Sequence, residues 1–209
     1  MKLIVISSAT TLTDEASMVT TLFENGLGTF HLRKPKHSTR GLREFILQIP
    51  TKFHNRIVIH SHHNLAHRFD LKGIHLTKIH RNKKIKTWFS IKLLKMRKPH
   101  IIITSSHKRL ASLFDEERNP DYVFLSPVFD SFTSKYQSGF TEHSLKAAME
   151  KTPFQVVARG GVDINYIQKV NDIGFAGMAL YSGIWKKSDP VSEFIRIVEK
   201  CNELGIKIE

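Results

Sequence analysis

Two stretches near the end of the chain combine glycines and hydroxyls in a way that suits an anion. Phe154 to Ala158 reads as an apolar strand breaking at Gly160-Gly161, and Ala176 to Leu180 as a second one ending in Tyr181-Ser182-Gly183. Small residues after a strand leave backbone N–H groups uncovered, and glycine permits the positive φ such turns often need. Paired turns of this kind form a cup whose usual guest is a phosphate. Gly160, Gly161, Tyr181, Ser182 and Gly183 are therefore the expected phosphate ligands, with Ser182 and the N–H of Gly183 foremost. Arg33, at the end of another short strand, carries a planar donor fork that can grip a carboxylate or phosphate through two bonds.

Histidines gather in the middle of the chain: His60, His62, His63 and His67, with His75 and His80 further on. Imidazoles can hold Zn²⁺ or another borderline metal, and His63 and His67 have i,i+4 spacing. No carboxylate or cysteine completes a set, so no metal ligand is expected, and His60 and His75 are read as polar groups facing a ligand at strand ends. Ser126 to Gly139 is long for a loop and suits either a mobile lid or an ordinary surface loop. Asp130, Thr133 and Lys135 lie in it, and a closing lid would bring Lys135 onto a phosphate.

The elements that must position these groups alternate. Strands are expected at Lys2–Ile6, Thr29–Leu32, Arg56–His60, Gly73–Leu76, His100–Thr104, Asp121–Leu125, and in the two stretches above. Helical patterns follow at Asp14–Asn25, Thr39–Gln48, His63–Phe69, Thr87–Lys95, Lys108–Phe114, Glu142–Glu150, behind Asp163, and at Val191–Leu204. Eight strand-then-helix units imply right-handed crossovers in a parallel sheet and favour one closed (β/α)₈ barrel, a single α/β domain over residues 1–209. Function in such a barrel sits on the loops after the strand ends. Those ends read Ser7-Ser8, Arg33-Lys34, His60-Ser61, His75-Leu76-Thr77, Ser105-Ser106-His107, Ser126-Pro127-Val128-Phe129, Gly160-Gly161 and Tyr181-Ser182, with Asp130 the nearest carboxylate.

Composition is compatible. The chain has 209 residues, 41% hydrophobic, and one cysteine, which excludes an intramolecular disulfide and makes the cytoplasm the simplest location. No apolar run reaches the ~18 residues of a membrane span. The net charge is +13, and Leu71 to Phe114 contains no acidic residue. That stretch reads as a solvated basic face, an attractor of phosphorylated metabolites, or a nucleic-acid surface. Interleaved stacking aromatics would favour nucleic acid. Before its terminal Phe114 only Trp88 and Phe89 occur in it, and they fit a helix's apolar face, so nucleic acid is not the expected partner. Oligomeric state is open, a homodimer included.

The residues resemble the thiamin phosphate synthase / TenI-like superfamily of (β/α)₈ barrels, over nearly the whole chain. The resemblance rests on Asp121 to Phe129, Gly160-Gly161-Val162, Gly177 to Ile184 and Gly73-Ile74-His75-Leu76. It implies a small phosphorylated thiazole as ligand. Synthases typically show Gln-x-Arg-x-Lys after the second strand, where this chain has His31-Leu32-Arg33-Lys34-Pro35. Their Mg²⁺-holding aspartates after strands three and four fall here on Ser61 and His80, and Mg²⁺ prefers carboxylates. Their Thr-x-Thr-Lys becomes Ser131 to Ser134, with Lys135 one position late. The departures point to the TenI-like branch, which implies a metal-independent thiazole tautomerase with His107, near Ser105, as the proton-transfer residue. An imidazole suits that role near neutral pH. The alternatives are a synthase coupling thiazole phosphate to a pyrimidine diphosphate, with Mg²⁺ or with Lys34, Lys36 or Lys78 neutralising charge, and a non-catalytic binder of the phosphometabolite. No other cofactor is implied.

Overall fold

In the computed structural model the chain runs β1 (Lys2–Ile6), α1 (Glu15–Glu24), β2 (Thr29–Leu32), α2 (Thr39–Gln48), β3 (Ile57–Ile59), β4 (Gly73–Leu76), α3 (Lys78–Asn82), α4 (Lys84–Arg97) and β5 (Ile102–His107). It continues through α5 (Ala111–Phe114), β6 (Tyr122–Leu125), α6 (Glu142–Lys151), β7 (Val156–Arg159), α7 (Ile167–Ile173), β8 (Gly177–Leu180), α8 (Ser182–Trp185) and α9 (Pro190–Glu203). Short 3-10 turns cover Thr51–Arg56, His63–His67 and Ile164–Tyr166. The structure describes residues 1–10, 12–116, 119–130 and 139–209, with the backbone alone at Lys78, Arg81 and Lys84. Consecutive strands pair in parallel and β8 returns to β1, with Leu3 opposite Met178, which closes the expected eight-stranded barrel. Among the described residues no helix is long and apolar enough to cross a membrane.

Strand side chains alternate between two environments, as a period of two requires. Outward residues such as Leu3, Val5, Phe30, Leu32, Ile57 and Ile59 join the main core beneath the helices, where Val19, Leu22, Ile46, Ile167 and Phe194 meet them. Inward residues Ile4, Ile6, Tyr122, Phe124, Val157 and Ala179 form a second, smaller cluster inside the barrel. That inner cluster draws on β1, β6, β7 and β8. At the inward positions of β2 and β4 stand His31 and His75, with His60 just past β3, all three buried.

Helix ends follow local chemistry. Ser38 accepts from Gly41 N–H, Thr141 from Ser144 N–H, and Asp189 from both Val191 and Ser192 N–H, with Pro190 opening α9. Such caps contribute about 1 kcal/mol each. Gly174, at φ 92°, ends α7 in the left-handed region. Asp14, before α1, sits at φ 58° and its side chain makes no capping bond. The histidine-rich helix expected over His63–Phe69 is the 3-10 turn His63–His67.

The largest difference lies in α4. Its packed stripe is Thr87 and Leu94, both buried, with Ile91 partly buried between them, anchored by the Thr87 hydroxyl donating to the His80 carbonyl at 2.7 Å. Trp88 and Phe89, expected on the packed face, are 55% and 61% exposed, together with Ile85, Leu93 and Met96. Periodicity fixes that a helix has an apolar stripe; when two exist, only packing decides which one is covered.

Candidate functional site

The mouth is built differently on its two sides. β7 ends at Arg159 rather than at a small residue, and Gly160 (φ 85°) and Gly161 (φ 69°) then turn through the left-handed region. A Cβ on Gly161 would lie 2.3 Å from the Asp130 carbonyl oxygen and 2.6 Å from that of Phe129. One on Gly183 would meet the Val162 carbonyl oxygen at 2.9 Å. The turns after β6, β7 and β8 are therefore stacked backbone on backbone, tied by Val128 N–H to Arg159 C=O at 3.0 Å and Phe129 N–H to Gly160 C=O at 3.1 Å. Glycine is required there by close approach as well as by φ. Ser182 and Gly183 head α8, where the first N–H groups of a helix have no intrahelical acceptor. Tyr181 is partly exposed, and its hydroxyl accepts from Ala9 N–H at 3.4 Å.

Side chains make the other side. His31 Nδ1 lies 2.9 Å from His60 Nε2, and His31 Nε2 meets the Tyr122 hydroxyl. His75 stacks on His60 with ring centroids 4.1 Å apart. Its Nδ1 is 2.8 Å from the Thr104 hydroxyl and its Nε2 2.9 Å from that of Ser106. Burial holds His31 and His60 well below the usual imidazole range, and the charge of Arg159 adds to it. Burial likewise raises the Tyr122 phenol, so it keeps its proton. Of these residues the sequence analysis named His60 and His75. His31 was missed, although it stands two positions before Arg33 and therefore on the same face of the chain.

Arg159 was also missed. Its strand period from Val157 points it inward, and its charge acts on His31, His60 and Arg33, so the two guanidiniums share the mouth. Burial first, and Arg33 second, lower Arg159 to about 10, which leaves it cationic at neutral pH. Lys34, expected to face a ligand, is turned away. Its ammonium pairs with the Glu15 carboxylate and donates to the Thr10 carbonyl at 2.9 Å, with 1% and 2% of the two side chains exposed. Glu15 also accepts from Ser8 N–H at 3.0 Å; burial raises its carboxyl despite Lys34.

His107 and Ser105 lie on the face of β5 opposite Thr104 and Ser106, toward the helical layer. His107 Nε2 is 3.2 Å from Glu116 Oε2 and 3.3 Å from the Ser105 hydroxyl, which donates to the same carboxylate at 3.3 Å. All three are buried. The reading that no carboxylate lies near the strand ends is thus corrected: Glu15 and Glu116 fold back from the following segments, a return that linear distance does not reveal. Thr133 and Lys135 lie outside the described residues.

Among the described residues, three carboxylates near the mouth are held by other protein groups. Glu15 is paired to Lys34, Glu116 to His107, and Asp163 accepts from the N–H and side-chain amide of Asn165. The positions where the resemblance calls for aspartate hold Ser61 and His80, the latter bonded through Nδ1 to the Thr77 hydroxyl at 2.8 Å. This donor set does not suit a hard octahedral ion.

Comparison with known proteins gives a consistent picture. The profile of the family described as thiamine monophosphate synthase matches residues 3–184. A thiamine-phosphate synthase of Prochlorococcus marinus is 27% identical over 82 residues, 39% of this chain and 23% of that protein. One from Thermoplasma acidophilum is 29% identical over 82 residues, covering 39% of this chain and 38% of its own length. The match thus spans well under half the length of these curated relatives. A solved structure described as thiamine phosphate pyrophosphorylase from Bacteroides thetaiotaomicron superposes with a TM-score of 0.75 at 28% identity, covering 97% of this chain and 98% of that one.

Proposed function

Because the chain belongs to the thiamine monophosphate synthase family, we propose that it is a transferase joining a phosphorylated thiazole to a pyrimidine diphosphate. In that reaction a C–N bond forms, the carbon–oxygen bond to diphosphate breaks, and the departing oxygen keeps the electron pair. The observation that carries this reading is the pair of inward guanidiniums, Arg33 and Arg159, in a chain that aligns end to end with a pyrophosphorylase. The thiazole phosphate sits on the N–H groups of Gly161, Ser182 and Gly183. Arg33 and Arg159 face the diphosphate and stabilise charge as it develops on the leaving group. They replace the lysines first considered, since Lys34 is committed to Glu15.

The test is diphosphate release from the two precursors, with and without chelator. Release that survives chelation and falls at least tenfold in Arg159→Gln is expected. No release under either condition defeats the transferase reading. A second reading is a thiazole tautomerase in which His107 moves the proton, which requires that buried ring to leave Glu116 and Ser105 and turn toward the mouth. Tautomer conversion without diphosphate chemistry, lost in His107→Asn, would select it.

A further inference from the structure

We propose that His31, His60 and His75 form a binding site for a borderline divalent ion, with Zn²⁺ as its test case, inside the barrel beneath the mouth. The proposal stands independently of the transferase reading. One ring nitrogen from each of the three lies within 4.8 Å of the others, and all three residues are buried. They come from adjacent strand ends, so the barrel itself brings them together. No metal ligand was expected from the sequence, and His63 and His67, whose i,i+4 spacing stands out there, are not part of this group.

Barrel interiors are normally filled by branched apolar side chains, and this one is so filled on its β1, β6, β7 and β8 side. Three imidazoles in the remaining space carry six nitrogens that each need a partner. At the 2.9 Å contact between His31 Nδ1 and His60 Nε2, one ring must donate and the other accept. A metal ion in place of that shared proton uses both lone pairs at once. The supporting bonds of such a site are already made. A ligating imidazole normally has its second nitrogen held by a hydrogen bond that fixes the ring. Here Tyr122 holds His31 Nε2, and Thr104 and Ser106 hold the two nitrogens of His75, of which one stays bonded when the other ligates.

The adjustment differs between the pairs, since the three nitrogens are only within 4.8 Å of one another. Zn–N bonds of about 2.0–2.1 Å in a tetrahedron put ligand nitrogens about 3.3 Å apart, so the 2.9 Å contact opens by a few tenths of an ångström. His75 turns off its stack on His60 and releases one hydroxyl. Neutral imidazole is a borderline ligand, so these three rings suit Zn²⁺ rather than a hard ion such as Mg²⁺. Arg33 and Arg159 lie near enough for their charges to act on His60. An anionic oxygen between the ion and the guanidiniums completes the tetrahedron and offsets their repulsion.

The full chain, stripped with chelator and dialysed, is loaded with Zn²⁺ or Co²⁺. One equivalent retained through gel filtration is expected, with the intense visible bands of four-coordinate Co²⁺. Tyr122→Phe should weaken affinity by about 10–100-fold, and His31→Asn or His75→Asn by more. The double variant His63→Asn/His67→Asn should bind as the parent does, which separates this site from adventitious binding to other histidines. Equal affinity in His31→Asn and His75→Asn, no retained ion in the parent, or a weak octahedral Co²⁺ spectrum would overturn the proposal. If the histidine variants do not fold, the parent Co²⁺ spectrum and the Tyr122→Phe shift decide it.

Discussion

Across the barrel mouth, the side after β7 and β8 offers backbone, whereas the side from β2 to β4 offers side chains. Gly160, Gly161 and Gly183 let three turns pack carbonyl against Cα, so their N–H groups are aimed by main-chain geometry. His31, His60, His75 and Arg33 are aimed by hydrogen bonds and by charge. A backbone cup recognises one chemical feature, negative charge on a small oxygen cluster, and tolerates few changes. A side-chain wall can be rebuilt residue by residue. The expected phosphate end accordingly keeps the glycines on which the family resemblance rests, while on the opposite side Ser61 and His80 stand where that resemblance calls for aspartate.

Substitutions sharpen that contrast. The largest effect is expected from Lys34→Met, which strands a buried Glu15 carboxylate: loss of about 3–5 kcal/mol near neutral pH by urea denaturation. A loss under 1 kcal/mol would mean the β2 side is not held by that pair. On the backbone side, Gly161→Ala combines a left-handed φ with a collision against Asp130 C=O, and about 2–4 kcal/mol should be lost. If the alanine variant is as stable as the parent, the stacking of turns is not what requires glycine there.

Tyr122→Phe removes the partner of a buried imidazole nitrogen and should cost about 1–3 kcal/mol, measured on metal-free protein. The effect that vanishes at neutral pH is a pH slope. His63 is held at about 3 by burial first and by His80 second, against about 6.5 in the unfolded chain. The folded state therefore refuses a proton that the unfolded state accepts. The stability tied to neutral His63 is complete above pH ~6.5 and is lost at about 1.4 kcal/mol per unit as pH falls toward 3. His63→Asn should flatten the acid limb by about one proton; an unchanged slope would place the titration elsewhere.

Arg33 and the glycine turns were legible because each is a local signal: a residue type at a strand end, or a φ requirement. Arg159 was legible in principle, two residues beyond Val157 on the inner face. Glu116 was not, because it returns to His107 only after α5 and a turn have reversed the chain. The same holds for Glu15 and Lys34, which are far apart in sequence and neutralise each other in space.

From the sequence alone came the alternation of strands and helices, hence the barrel, because local periodicity of apolar residues decides which face each element must bury. The tertiary structure decided which polar groups meet. Barrel closure sets β2, β3 and β4 side by side and brings three histidines to one depth, and α4 turned one of its two apolar stripes inward. Pairing and rotation of that kind depend on contacts between segments distant in the chain, and no local pattern encodes them.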